Sequence, residues 1–297
     1  MASNCFGNIK SKYIIQRIFS NLNENRWLKI IKCNKIIQNK LNIDVNYYKR
    51  YNNIEIELIP INKEYENKFI KISNKEHESY IHIFFNNDKN EIKKNYFTKN
   101  ENITKIKVIV DFEVKSLSGL FEDCKCLKSI KFLKFNRKDI SGMSHLFSGC
   151  SSLEKIEFTK FKTDNVIYMR NMFYNCYNLK ELDLTNFNTE KVINMQNLFY
   201  GCSSLEKINL SNFNINNVID MSYMFFECKS LSILDLSSFK CDNVINMSYM
   251  FFGCSSLEQI KFFNFIHNNN INMFHAFDGC ESLKDLNISK FGIDNYY

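Results

Sequence analysis

The chain has 297 residues, of which 45% are hydrophobic and 24% charged, with a formal net charge of +7, one proline and eight glycines. The hydrophobic share is that of a globular protein and the length leaves room for two domains, while proline and glycine fall far below their usual share. No window approaches the ~20 consecutive apolar residues of a membrane-spanning helix, and the first ten residues lack the apolar core of a secretory signal.

The charge is uneven. Residues 1–60 hold ten Lys/Arg against four Asp/Glu, residues 61–116 eleven against nine, and the remainder eighteen against nineteen. A basic N-terminal module therefore precedes a neutral body, which lacks the basic stripe with aromatic platforms that nucleic acid would need. Gly7 is misplaced for myristoylation, so the expected location is cytoplasmic.

From Ile9 to Leu41 apolar residues recur at helical spacing. Ile14, Ile15, Ile18, Phe19 and Leu22 form one stripe; Trp27, Leu28, Ile30 and Ile31 form a second; Ile36, Ile37 and Leu41 form a third that Asn34 is placed to start. Three short amphipathic helices make a bundle too small to stand alone, so residues 1–45 are expected to dock on something. The run Ile18-Phe19-Ser20-Asn21-Leu22, then Leu28, Lys32-Cys33-Asn34-Lys35 and Leu41 resembles an F-box, although the usual Leu-Pro opening is absent and Ile36 replaces its tryptophan. That resemblance implies a ubiquitin-ligase substrate receptor, with Ile18, Phe19 and Leu22 on a Skp-family cullin adaptor. The alternative for these helices is a plain N-terminal cap.

Residues 46–102 read as a β-rich cap. After a connector rich in Asn and Tyr, the period changes to two at Ile54–Leu58, Phe69–Ile72 and Tyr80–Phe85. The Asn86-Asn87-Asp88-Lys89-Asn90 cluster predicts a turn leading into a strand at 91–97. Ile103, Ile106 and Val108 have leucine-rich spacing and predict a degenerate first repeat.

From Leu117 onward the chain repeats every 26 residues: Met143, Met169, Met195, Met221, Met247 and Met273 are equivalent. Phe121, 147, 173, 199, 225, 251 and 277 recur in step, as do Cys124, 150, 176, 202, 228, 254 and 280. An uninterrupted period of this length predicts a solenoid over residues 103–297. Seven equivalent cysteines cannot all pair with one another, so they predict buried free thiols rather than disulfides. Only Cys124 and Cys126 are close neighbours, which is no zinc pattern, and no metal or cofactor is expected.

Within one repeat, Val218, Met221, Met224, Phe225 and Cys228 fall on one face of a short helix, with Asn216 and Asn217 as caps. Leu231, Leu234, Leu236 and Phe239 then follow the leucine-rich pattern with a short strand. The expected fold is an α/β solenoid of one strand and one short helix per repeat. Segments such as Asn243-Val-Ile-Asn-Met-Ser-Tyr-Met-Phe-Phe-Gly-Cys-Ser-Ser-Leu-Glu258 resemble the BspA-like leucine-rich repeats. That resemblance implies a non-enzymatic solenoid that binds proteins, with a cell-surface adhesin as the alternative setting.

The outward row of the strand ladder reads Lys131, Glu157, Asp183, Asn209, Asp235, Lys261 and Asn287. On a concave face this row would take a basic or mixed-charge protein segment. Neither a Gly-rich phosphate loop nor a Cys/His pair at catalytic spacing occurs, so no enzyme is expected. The last repeat stops part-way at Tyr296-Tyr297, and an uncapped end of this kind predicts either self-capping or an end-to-end homodimer.

Overall fold

The computed structural model describes residues 35–41, 49–61, 67–159, 161–262 and 271–284. Two compact units divide the chain at Met1–Asn53 and Ile54–Tyr297. In the first, the third expected helix forms as α1, Lys35–Leu41, with Ile37 buried and Ile36 exposed. The two preceding stripes, with the candidate adaptor residues Ile18, Phe19 and Leu22, lie outside the described residues.

The second unit opens with a five-stranded sheet. β1 (Ile54–Pro60) buries Ile54, Ile56 and Leu58 and turns Glu55 and Glu57 outward, the alternation that a half-covered strand imposes. β2 (Asn67–Lys68) and β4 (Tyr96–Phe97) form a two-residue pair. Phe69 and Ile70 are buried side by side, so the strand expected there does not form. The strand expected at 91–97 shrinks to β4 and a single bridge between Ile92 and Ile83. β3 (Ile81–Phe85) ends at Asn86 and Asn87, whose φ of 50° and 64° make a tight left-handed turn closed by Asp88 N–H on the Phe85 carbonyl.

β5 (Ile106–Val110) runs antiparallel to both β1 and β3, and β6 (Leu127–Lys134) lies on the other side of β1. The expected first repeat is thus displaced: β1 sits between β5 and β6, and β5 belongs to the opening sheet. Its Ile106, Val108 and Val110 alternate with period two, a pattern that fits a cap strand as well as a leucine-rich one.

From β6 onward the stacking is parallel and in step. β7 (Lys155–Glu157), β8 (Glu181–Asp183), β9 (Lys207–Asn209), β10 (Ile233–Leu236) and β11 (Gln259–Phe262) follow at the repeat interval. β6 pairs with β7, β8 with β9 and β10 with β11, each residue facing its equivalent 26 positions on. A second ladder of parallel bridges links Ser116, Gly142, Tyr168, Asn194, Asp220, Asn246 and Asn272. The repeats are therefore stacked without a register slip across the described part.

The short helix does not form in these repeats. Met143, His145, Phe147 and Gly149 send their N–H groups to carbonyls of the next repeat, at Tyr168, Arg170, Met172 and Tyr174. Inside the repeat short turns close instead, such as Leu146 on Met143 and Cys150 on Phe147. Two residues four apart in each turn segment are left-handed: His145, Asn171, Asn197, Tyr223, Tyr249 and His275 in one slot, and Gly149, Asn175, Gly201, Glu227, Gly253 and Gly279 in the other. A residue with φ near +57° breaks an α-helix at once. Gly201 shows the constraint most clearly, since a Cβ there would lie 2.3 Å from Asn175 Oδ1.

The core runs along the stack. Phe121, 147, 173, 199, 225, 251 and 277 stack ring on ring with centroids 5.2–5.9 Å apart. Leu127, 153, 179, 205, 231 and 257 are fully buried beside them, as are the methionines from Met143 to Met221. Because each repeat covers only its neighbours, the apolar face exists only through stacking. The cysteines are free thiols and do more than fill space. Each Sγ from Cys150 to Cys280 lies 3.0–3.2 Å from the carbonyl of a phenylalanine one repeat earlier and donates to it. Thr163 and Thr189 add a second tie: each hydroxyl donates to a carbonyl of the next repeat (Asn188, Asn214) and accepts the N–H of the same residue.

Candidate protein-interaction surface

The strands carry the row singled out by the sequence. Leu234 and Leu236 point inward on β10 while Ile233 and Asp235 point out, and β8 repeats the pattern with Glu181, Leu182 and Asp183. Parallel pairing sets Lys131 opposite Glu157, Asp183 opposite Asn209, and Asp235 opposite Lys261. Six of the seven expected residues are thus set in three side-by-side pairs at the repeat interval, one pair in each of three sheets; Asn287 lies outside the described residues.

Charge on this face is largely paired within it. Lys131 Nζ lies 2.9 Å from Glu157, which also takes Lys155 at 2.7 Å. Those two lysines hold the Glu157 carboxyl below its ordinary range, and Glu157 in turn raises Lys131. Lys207 pairs with Glu181 at 2.9 Å, and Lys261 approaches Asp235 at 3.9 Å. Most of these ties join consecutive repeats, so they oppose a slip of register. As exposed pairs each adds little to stability.

The amide and carboxylate side chains of the row also have a local role. Asp183, Asn209 and Asp235 each accept, through Oδ1, the N–H two residues on, at Thr185, Ser211 and Ser237. This turn ends the strand, which is a reason for Asp or Asn in that slot that spacing arguments miss. The Ser237 hydrogen bonds lower the Asp235 carboxyl below its usual range, with Lys261 helping. Both carboxylates belong to exposed residues; Asp235 Oδ2 lies 3.9 Å from Lys261, and Asp183 has no ion pair among the described residues.

The C-terminal half of the row is the open half. Asp183, Asn209, Asp235 and Lys261 are exposed, whereas Lys131, opposite Glu57 of β1, and Glu157 are half-buried. Ile233, beside Asp235, is 55% exposed and supplies an apolar contact on an otherwise polar strip. Among the described residues no cluster of three or more His, Cys, Asp or Glu is arranged to hold a metal, and none of their helices is long and apolar enough to cross a membrane. The C-terminal end, expected either to cap itself or to meet a second copy end to end, lies outside the described residues.

Two features escaped the sequence reading. One is a partly exposed aromatic column on the turn segments, Tyr174, Tyr200, Phe226 and Phe252, stacked at 4.5–4.9 Å. These rings stack face to face on one another. The repeat alignment could have shown the column, because all four occupy one slot. The other is His82 on β3, which contacts carboxylates at both ring nitrogens.

A family model described as "Mycoplasma protein of unknown function, DUF285" matches residues 90–182 and 177–291. A crystal structure of a leucine-rich repeat protein from Bacteroides ovatus is similar at 17% identity, covering 59% of this chain and 70% of that one, with a TM-score of 0.20. Among curated proteins nothing matches the chain.

Proposed function

The chain belongs to this DUF285 family, and we propose that it is a non-enzymatic repeat module that binds a protein segment along its strand row. The observation that supports the reading is the exposed strip over β8–β11, where Asp183, Ile233 and Asp235 project from backbones locked by parallel pairing. Rigid presentation lowers the ordering cost of binding, because the side chains are already placed. A partner with a basic residue beside an aliphatic one matches this strip: the base faces a carboxylate, and the aliphatic group covers Ile233. Such a contact is expected to be salt-sensitive, since exposed charges are screened within ~10 Å at about 0.1 M salt.

The test is affinity capture from host lysate with the full chain, its Asp183→Lys/Asp235→Lys form and its Ile233→Lys form. Partners that bind the native chain and are lost from both variants support the strand row. Identical partner sets in all three lanes would place binding elsewhere. A fourth lane with residues 54–297, the second compact unit, shows whether the first 53 residues contribute.

A further inference from the structure

His82 lies on β3, away from the strand row, with Nδ1 2.9 Å from Glu91 Oε1 and Nε2 3.1 Å from Asp111 Oδ2. A neutral imidazole has one N–H, so it can donate to one carboxylate and must turn a lone pair toward the other. Only the imidazolium satisfies both. The two carboxylates come from different segments. Asp111 closes β5: its N–H donates to the Tyr80 carbonyl, and its own carbonyl accepts Arg137 Nη1 at 3.0 Å. Glu91 belongs to the excursion after β3, where Ile92 N–H donates to the Ile83 carbonyl at 2.8 Å.

We propose that His82 is a proton-operated clasp, which as an imidazolium bolts the Glu91 excursion onto the edge of the β3–β5 sheet and on losing its proton lets that excursion go. The charged groups around the ring are Glu91, with Lys93 also bonded to it, and Asp111, beyond which stands Arg137 paired with Asp139. Asp111 is held by two backbone ties, so the remaining N–H of a neutral ring stays with Asp111, and Glu91 is the partner released. β3 is the outer strand of the five-stranded sheet, and the Ile92 bridge partly covers its free edge. Release uncovers an edge able to accept another strand.

The direction of the effect follows from the ring's surroundings. Burial opposes the charge, but the hydrogen bonds that the ring donates to Asp111 and Glu91 outweigh it, and the ring's pKa is raised. A raised histidine contributes stability that is complete below its unfolded value of about 6.5 and is lost as pH climbs through the folded value. The clasp is therefore closed in acidic solution and opens as pH climbs through a folded value raised above about 6.5.

The test follows the His82 ring by NMR in the full chain between about pH 5.5 and 8.5, together with amide exchange at Ile92 corrected for the intrinsic pH dependence. The expected result is a midpoint above about 6.5 and a loss of Ile92 protection of about tenfold or more across it. In Glu91→Gln the midpoint should fall and the pH-linked step in Ile92 protection should vanish, while Val108 in the sheet interior stays protected. A wild-type midpoint at or below the unperturbed value, or Ile92 protection that ignores the titration, overturns the clasp. Should Glu91→Gln fail to fold, the wild-type titration decides by itself.

Discussion

Replacing Cys202 by alanine and by serine separates two reasons for a cysteine in every repeat. Cys202 is fully buried, and its Sγ lies 3.1 Å from the Phe173 carbonyl, which also accepts Cys176 N–H at 3.2 Å. If the thiol is only a small hydrophobe, alanine costs about 1 kcal/mol for one lost heavy atom. Serine would then cost ~1–3 kcal/mol for a buried hydroxyl without a partner. If the thiol is a donor, alanine also loses a bond worth ~0.5–1.5 kcal/mol net, for a total of roughly 2 kcal/mol. Serine keeps a hydroxyl aimed at the same oxygen and should cost less, on the order of 1 kcal/mol. The expected order of stability is native, then Cys202→Ser, then Cys202→Ala, read from urea midpoints at unchanged slope. Alanine more stable than serine by about 1 kcal/mol would refute the donor role. Alkylation supplies a parallel check: burial pushes the Cys202 thiol up to about 12, so iodoacetamide at neutral pH should label it only after unfolding.

Phe225→Ala removes a fully buried ring stacked between Phe199 at 5.3 Å and Phe251 at 5.8 Å. The loss should be ~3–5 kcal/mol by chemical denaturation, and local exchange should rise most in the repeats on either side, because coupling runs between nearest neighbours. Thr189→Val keeps the shape but removes the oxygen that accepts Asn214 N–H at 2.8 Å, which should cost ~1–3 kcal/mol. An unchanged midpoint for the valine variant would mean that water replaces the hydroxyl.

How far the sequence can be read is clearest at the turn segment. Met221, Met224, Phe225 and Cys228 are all buried, so the stripe inferred from their spacing at 0, 3, 4 and 7 is real. The helix inferred from that stripe is not. Spacing reports which side chains face inward, and a helix and a ribbon of successive turns give the same answer at those four positions. The distinction lay in the residues between them. Asn171, Asn175, Asn197 and Gly201 occupy left-handed slots and are the types that tolerate such a backbone. In the repeats where Tyr223, Tyr249 and Glu227 fill the same slots, the signal disappears, because stacking on neighbours overrides local preference. Only the whole column, compared slot by slot, carries the information.

The strand row poses the same problem for function. The repeat was enough to make Lys131, Glu157, Asp183, Asn209, Asp235 and Lys261 equivalent, and pairing sets them side by side two at a time. What alternation does not contain is the second use of these residues, ending strands and pairing across repeats. A polar row in a repeat protein has a structural reason to exist before it has a partner. The part of the row that structure leaves least explained is Asp183 and Ile233: the carboxylate has no ion pair among the described residues, and the aliphatic side chain stands in water beside charged neighbours. Truncating Ile233 to alanine should leave stability within about 0.5 kcal/mol, as for an exposed site. A binding loss in that same variant would therefore report the surface and not the fold, and a stability loss of several kcal/mol would show instead that Ile233 is part of the stack.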